Sequence, residues 1–300
     1  MKETKMRIAG HTMATPHLEP REAIELFGNL GIDGIEIICR DDYKCGISLD
    51  STEKSTKDLL DFASSHNIQI AAVTPYITEL NSIDFKIRER EKENMKKCIR
   101  LANHLNCKII RAYGGSYFLA EGERKYQEKK KVFIECMTEL GKYAEDFDVS
   151  LAIENHFNTL TFDAQRTVCI VSEIKNSAVG ILYDQANLGI VGAEEYEEAI
   201  TMQRPYITHV HVKDFIFKGS DKTFHSSQVT KMNESERNVI FKVVGEGIVP
   251  WPEIIKLLNN IGYNGFLSLE YPYWAHPGDL PVAEIGIKKS KDYLCNLLKS

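Results

Sequence analysis

Four short apolar runs in the second half of the chain each end in a side chain that can bind a metal. LAIE ends in Glu154, ILYD in Asp184, HVH in His211 and LSLE in Glu270. Three carboxylates and one imidazole suit manganese, magnesium or a related divalent ion, and leave coordination positions for substrate oxygens. A structural zinc site would draw on cysteine, and none of the four is cysteine. Taken singly, each residue reads as readily as a helix cap or a hydrogen-bonded core histidine. Four of them on four successive strands point to one site.

Further polar residues stand where they could reach that site. Arg111 closes the run CKIIR; its planar fork suits a phosphate or carboxylate, or else a salt bridge to an acid at the barrel top such as Glu36. His156 lies two residues past Glu154, to touch substrate or orient a ligand. Lys213 shares a strand face with His211, because side chains alternate along a strand. It would meet an anionic group, polarise a hydroxyl or neutralise the carboxylates. His11 follows the first strand and would line the pocket. Trp274 and His276, just past Glu270, would wall the pocket mouth, and Glu246 in GEG is expected to stabilise its loop rather than catalyse.

These residues need a scaffold that brings several strand ends to one place. Short β-branched runs alternate with longer amphipathic ones along the whole chain. Strands are expected at 6–10, 34–39, 68–73, 107–112, 150–154, 179–184, 207–212 and 266–270. Helical patterns separate them at 22–30, 53–66, 88–105, 123–147, 163–174, 193–202 and 251–261, with a last one at 282–298. Eight strand–helix units imply parallel strands with right-handed crossovers. No GxGxxG or Walker A motif follows a strand, which disfavours an open dinucleotide-binding sheet. The expectation is therefore an α/β (β/α)₈ TIM barrel, one domain over residues 1–300. Residues 213–249, which carry a second histidine, His225, and GEG at 245–247, form the longest irregular connection, and a connection that long is usually functional.

Composition narrows the function classes. A net charge of −6 argues against a duplex nucleic-acid binder, which needs a basic face. No apolar run approaches the length of a membrane span, and the polar start has no signal-peptide core, so a cytoplasmic protein without membrane attachment is expected. The seven cysteines are scattered without a CxxC and mostly sit in apolar runs, a pattern of packing residues rather than disulfides.

Motifs spread over nearly the whole chain resemble one family. They are GIDGIEI at 31–37, CKIIRAYGG at 107–115, LAIENH at 151–156, LYDQANL at 182–188, HVHVKD at 209–214, GEG with Trp251, and GYNGFLSLEY at 262–271. The chain resembles the sugar-phosphate isomerase/epimerase group of xylose isomerase-like TIM barrels, which spans ketose 3-epimerases, inosose isomerases and dehydratases, and endonuclease IV. The resemblance implies that Glu154, Asp184, His211 and Glu270 are metal ligands. It also implies that Glu154 and Glu270 double as acid and base on opposite faces of a sugar. Such chemistry removes the proton beside a ketone and returns it on the other face, or to the neighbouring carbon.

One position departs from the pattern. Many relatives carry a histidine three residues after the strand-six aspartate, where this chain has Asn187. Asn187 can donate a hydrogen bond to a substrate hydroxyl but cannot carry a proton. Its presence removes a ligand that an endonuclease-type zinc cluster needs. One divalent cation is expected, manganese first, with magnesium, cobalt or zinc as alternatives. The expected activity is isomerisation or epimerisation of a ketose or ketose phosphate through an enediolate. Dehydration of an inosose or dehydroshikimate is the alternative, and phosphodiester cleavage ranks below both. A small-molecule sugar or sugar phosphate is the expected partner, with homodimers or larger homo-oligomers common for barrels of this kind.

Overall fold

The computed structural model describes residues 6–192, 195–219 and 237–299. Eight parallel strands close into a barrel: β1 (Arg7–His11), β2 (Gly34–Cys39), β4 (Gln69–Pro75), β5 (Ile109–Ala112), β6 (Ser150–Glu154), β7 (Val179–Tyr183), β8 (Ile207–Val212) and β11 (Phe266–Leu269). The order around the wall is β1-β11-β8-β7-β6-β5-β4-β2, and pairing of β1 with β2 completes the ring. A two-residue strand, β3 (Gly46–Ile47), adds to the edge of β2.

The strands are buried on both faces because helices cover the outside of the barrel, as parallel sheets require. Eight helices follow the eight strands: α1 (Pro20–Asn29), α2 (Glu53–Ser65), α3 (Phe85–His104), α4 (Glu123–Glu145), α5 (Ala164–Ile174), α7 (Tyr196–Gln203), α8 (Trp251–Asn260) and α9 (Ala283–Leu297). Their starts are written in the sequence. Pro20 opens α1, where its missing N–H costs nothing, and Glu19 and Glu22 form a reciprocal cap. Asp163 caps α5 by accepting from Arg166 N at 2.6 Å. Five of the seven cysteines are buried, and all seven are free thiols.

The expected α/β barrel is the observed one, with every strand and helix end within three residues of its expected position. Two features depart from expectation. A short helix, α6 (Gln185–Val191), follows β7 directly, before α7. The helical pattern at 193–202 therefore belongs to α7, and residues 193 and 194 lie outside the described ones. The long connection after β8 also contains a two-stranded antiparallel sheet, β9 (Asp214–Phe217) paired with β10 (Val239–Lys242). Its alternation is too short to register as strand in sequence. His225 lies outside the described residues.

Asp214 holds the two ends of that connection together. Its buried carboxylate accepts from the backbone N–H of Gly245 (2.9 Å), Gly247 (3.1 Å) and Val249 (3.1 Å). A Cβ on Gly247 would stand 2.0 Å from Asp214 Oδ1, so only glycine fits there. Glu246 points outward and faces Lys289 at 3.4 Å, in keeping with a loop acid rather than a catalyst. No helix among the described residues is long and apolar enough to cross a membrane.

Candidate metal centre

Strands β6, β7, β8 and β11 are neighbours in the wall, and their C-terminal ends bring Glu154, Asp184, His211 and Glu270 together. One donor atom from each of the four lies within 4.8 Å of the others. His211 Nδ1 is the hub: it stands 3.1 Å from Glu154 Oε1, 3.5 Å from Glu270 Oε2 and 3.9 Å from Asp184 Oδ2. Glu154 and Asp184 are fully buried, whereas Glu270 keeps 12% of its side chain exposed. Asp184 does two jobs. Its Oδ1 accepts from Asn187 N at 2.9 Å and caps α6, while Oδ2 turns to the site.

Two cations are built into the same space. Lys213 Nζ donates to Glu270 Oε2 (2.5 Å) and Asn187 Oδ1 (3.0 Å), and forms an ion pair with Asp184 Oδ2 at 3.0 Å. Of the roles expected for Lys213, neutralising the carboxylates is the one this geometry displays. Arg111 grips Glu154 Oε2 through Nε at 2.8 Å and Nη2 at 2.5 Å. Of the two roles expected for Arg111, the salt bridge to a barrel-top acid is the one displayed, with Glu154 rather than Glu36 as the acid, because adjacent β5 and β6 set the two side by side. Arg111 Nη1 is buried and has no partner. Asn187 donates to Asn155 O and Asp184 Oδ2, both at 2.9 Å. Both amide hydrogens are thus committed to the protein, which leaves the substrate-donor role expected of Asn187 without a free donor.

The electrostatics follow from this packing. Burial pushes Glu154 up, but Arg111, His156 and the His211 hydrogen bond together outweigh it and hold the carboxyl at about 2. Burial likewise opposes ionisation of Glu270, yet Lys213 and His211 keep it well below the usual carboxylate range. Asp184 goes the other way. Burial, with Glu270 and Glu154 nearby, raises it to about 7 despite Lys213. Burial disfavours the His211 imidazolium, but Glu36 and Glu270 raise its pKa well above the ordinary value.

Behind His211 stands a group that the sequence reading did not place in the site. Glu36, from the middle of β2, accepts from His211 Nε2 and His209 Nε2, each at 3.0 Å, and from the Thr74 hydroxyl. All four residues are buried, and the imidazoles hold the Glu36 carboxyl well below the usual range against the opposing effect of burial. The signal was a lone charge inside GIEIIC, and the alternation of His209 with His211 along β8.

The remaining expected residues gather at the same end of the barrel. His11 Nδ1 accepts from Met13 N at 3.1 Å, which puts the ring proton on Nε2. That atom is buried without a partner, 3.7 Å from Glu36 Oε1, and burial lowers the His11 pKa to about 4. His156 Nδ1 donates to Phe157 O at 2.7 Å, and its ring tilts against Tyr113. Trp274 meets Tyr43 edge-on, and Tyr43 stacks on Tyr76, which makes an aromatic wall. His276 departs from the mouth and packs on Phe241 instead.

The donor set fits a divalent cation. Three carboxylates converge on one imidazole nitrogen, and burial, with Glu270 and Glu154 beside it, raises Asp184 to about 7 against the pull of Lys213. All the oxygens are hard donors, as manganese, magnesium or zinc accept.

A sequence profile described as xylose isomerase-like TIM barrel matches residues 24–293. The chain belongs to that family. Inosose dehydratase of Clostridium beijerinckii is 26% identical over 156 residues, 51% of this chain and 50% of that enzyme, so the chain matches about half of its length. The solved structure of a D-tagatose 3-epimerase-like protein is similar with a TM-score of 0.76 at 20% identity, covering 98% of this chain and 97% of that one. The IOLI protein, solved with a bound zinc atom, also gives 0.76, at 19% identity and 98% of both chains. At these identities the structural likeness establishes the fold alone.

Proposed function

We propose that this family member is a divalent-cation-dependent isomerase or epimerase of a ketose, free or phosphorylated, with Glu154 and Glu270 as its proton-moving groups. Manganese is the cation we assign, held by Glu154, Asp184, His211 and Glu270. The observation that carries the reading is the placement of the two glutamates: they sit on β6 and β11, which flank β7 and β8, so the pair brackets Asp184 and His211. A cation bound there supplies positive charge that offsets the negative charge developing on a substrate carbonyl.

The protein's own residues do the rest. Glu154 is ionised at neutral pH and aimed by Arg111, so it accepts the proton beside the carbonyl. Glu270, the more exposed of the two, serves the opposite face. The Nε2–H of His11 and the Nη1 of Arg111 are buried donors without partners, each at a cost of about 1–3 kcal/mol, and substrate oxygens would satisfy them. His156 adds an acceptor beside Glu154.

A second reading is dehydration of an inosose-like substrate. Lys213 favours it, because an ammonium 2.5 Å from Glu270 can protonate a departing hydroxyl, a step that epimerisation does not need. Both readings begin with proton abstraction. Incubating the Mn²⁺-loaded protein with a panel of ketoses and inososes in D₂O is expected to place deuterium on carbon. Growth of enone absorbance marks dehydration and its absence marks epimerisation. No exchange with any member of the panel removes both.

A further inference from the structure

Imidazole offers two nitrogens, and only one can face the site while the other is held behind it. His211 Nδ1 faces Glu154, Glu270 and Asp184, and Nε2 lies 3.0 Å from Glu36 Oε1. Glu36 is 0% exposed, so its carboxylate is cut off from water and must be satisfied within the protein. Its Oε1 takes the Thr74 hydroxyl and His211 Nε2, while Oε2 takes His209 Nε2 at 3.0 Å. Three donors from β4 and β8 thus lock the orientation of one carboxylate on β2. A carboxylate accepts and does not donate, so the nitrogen that faces it carries hydrogen.

Resting on the reading of Glu154, Asp184, His211 and Glu270 as a cation site, we infer that Glu36 is a positioning residue that fixes the ring orientation and tautomer of His211, so that Nδ1 is the atom presented to the cation. In this role Glu36 is a hydrogen-bond partner of the imidazole and not one of the four residues assigned to the cation. A group placed this way behind a liganding histidine typically contributes about 10- to 100-fold in metal affinity. His209 completes the device by holding Oε2 at 3.0 Å, so that both oxygens of the carboxylate are fixed.

The test uses Mn²⁺ itself, titrated calorimetrically into the full chain. The parent is expected to bind one Mn²⁺, and Glu36→Gln, which keeps shape but not charge, to bind it about 10- to 100-fold more weakly. Glu91→Gln removes a buried acid of α3 that lies outside the site, and is expected to stay within about twofold of the parent. Equal Mn²⁺ affinity in the parent and Glu36→Gln overturns the inference and leaves the cation site standing. Failure of the parent to bind Mn²⁺ overturns both. A second measurement needs no variant: ¹⁵N spectra of the Zn²⁺-loaded, histidine-labelled parent should show His211 with hydrogen on Nε2 and metal on Nδ1. The reverse pattern overturns the inference even if Glu36→Gln does not fold.

Discussion

The two halves of the barrel do different work. Strands β6, β7, β8 and β11 bring the four candidate ligands to one point. Strands β1, β2, β4 and β5 bring none of them, but supply His11, Glu36, Thr74 and Arg111, which hold or surround them. One arc gathers the candidate ligand atoms, and the other supplies the groups bonded to or packed around them. The lesson is that a strand-end residue of the second arc can matter as much as a ligand while sharing none of a ligand's signature.

Substitutions can break that division. The largest effect is expected in the first arc: Glu154→Gln or Glu270→Gln should lower the rate of deuterium incorporation by about 10²- to 10⁴-fold, the usual worth of a general acid or base. A loss below tenfold in both would end the two-glutamate reading. Next comes the second arc, where Arg111→Met strands the buried Glu154 carboxylate without its cation. Metal-free protein should lose about 3–5 kcal/mol in urea unfolding, and saturating Mn²⁺ should restore part of it by neutralising the same carboxylate. If Mn²⁺ restores nothing, Arg111 and the ion do not share Glu154.

A gentler probe is pH. His211 holds a proton well above its ordinary range and Asp184 titrates at about 7, so a cation must displace protons to bind. Protons compete as pH falls, and apparent Mn²⁺ affinity should therefore rise with pH, about tenfold per unit for each proton displaced. An affinity flat between pH 6 and 8, followed by calorimetry, would show that the site is proton-free before binding. The smallest effect belongs to Thr74→Val, which removes one of the three donors to Glu36 and should cost about 1.5 kcal/mol of unfolding free energy.

How much of this was legible in sequence differs between the arcs in the same way. The first arc could be read because each candidate ligand ends an apolar run, and HVHVKD places 209, 211 and 213 on one face by alternation alone. Asp184 looked like a cap or a ligand, and it is placed to be both. The second arc could not be read. Glu36 meets His211 across 175 positions of sequence, through a ring closure that no local pattern encodes. Arg111 was visible as a charge at a strand end, but its partner depends on which strand lies beside β5. The helix α6 was missed because its seven residues follow β7 without a loop to announce them, and the β9–β10 pair because four-residue strands are too short for alternation to register.

The Asp214 clamp has a consequence for how such a barrel can change. With Gly245, Gly247 and Val249 tied back to the residue that leaves β8, the segment between is closed off at its base, like a cassette in a frame. Lengthening a loop closed in this way is cheap, about 0.6 kcal/mol per doubling. Insertions or grafts there would leave His209, His211 and Lys213 in register, so the chemistry can be inherited intact while the surface around it is rewritten.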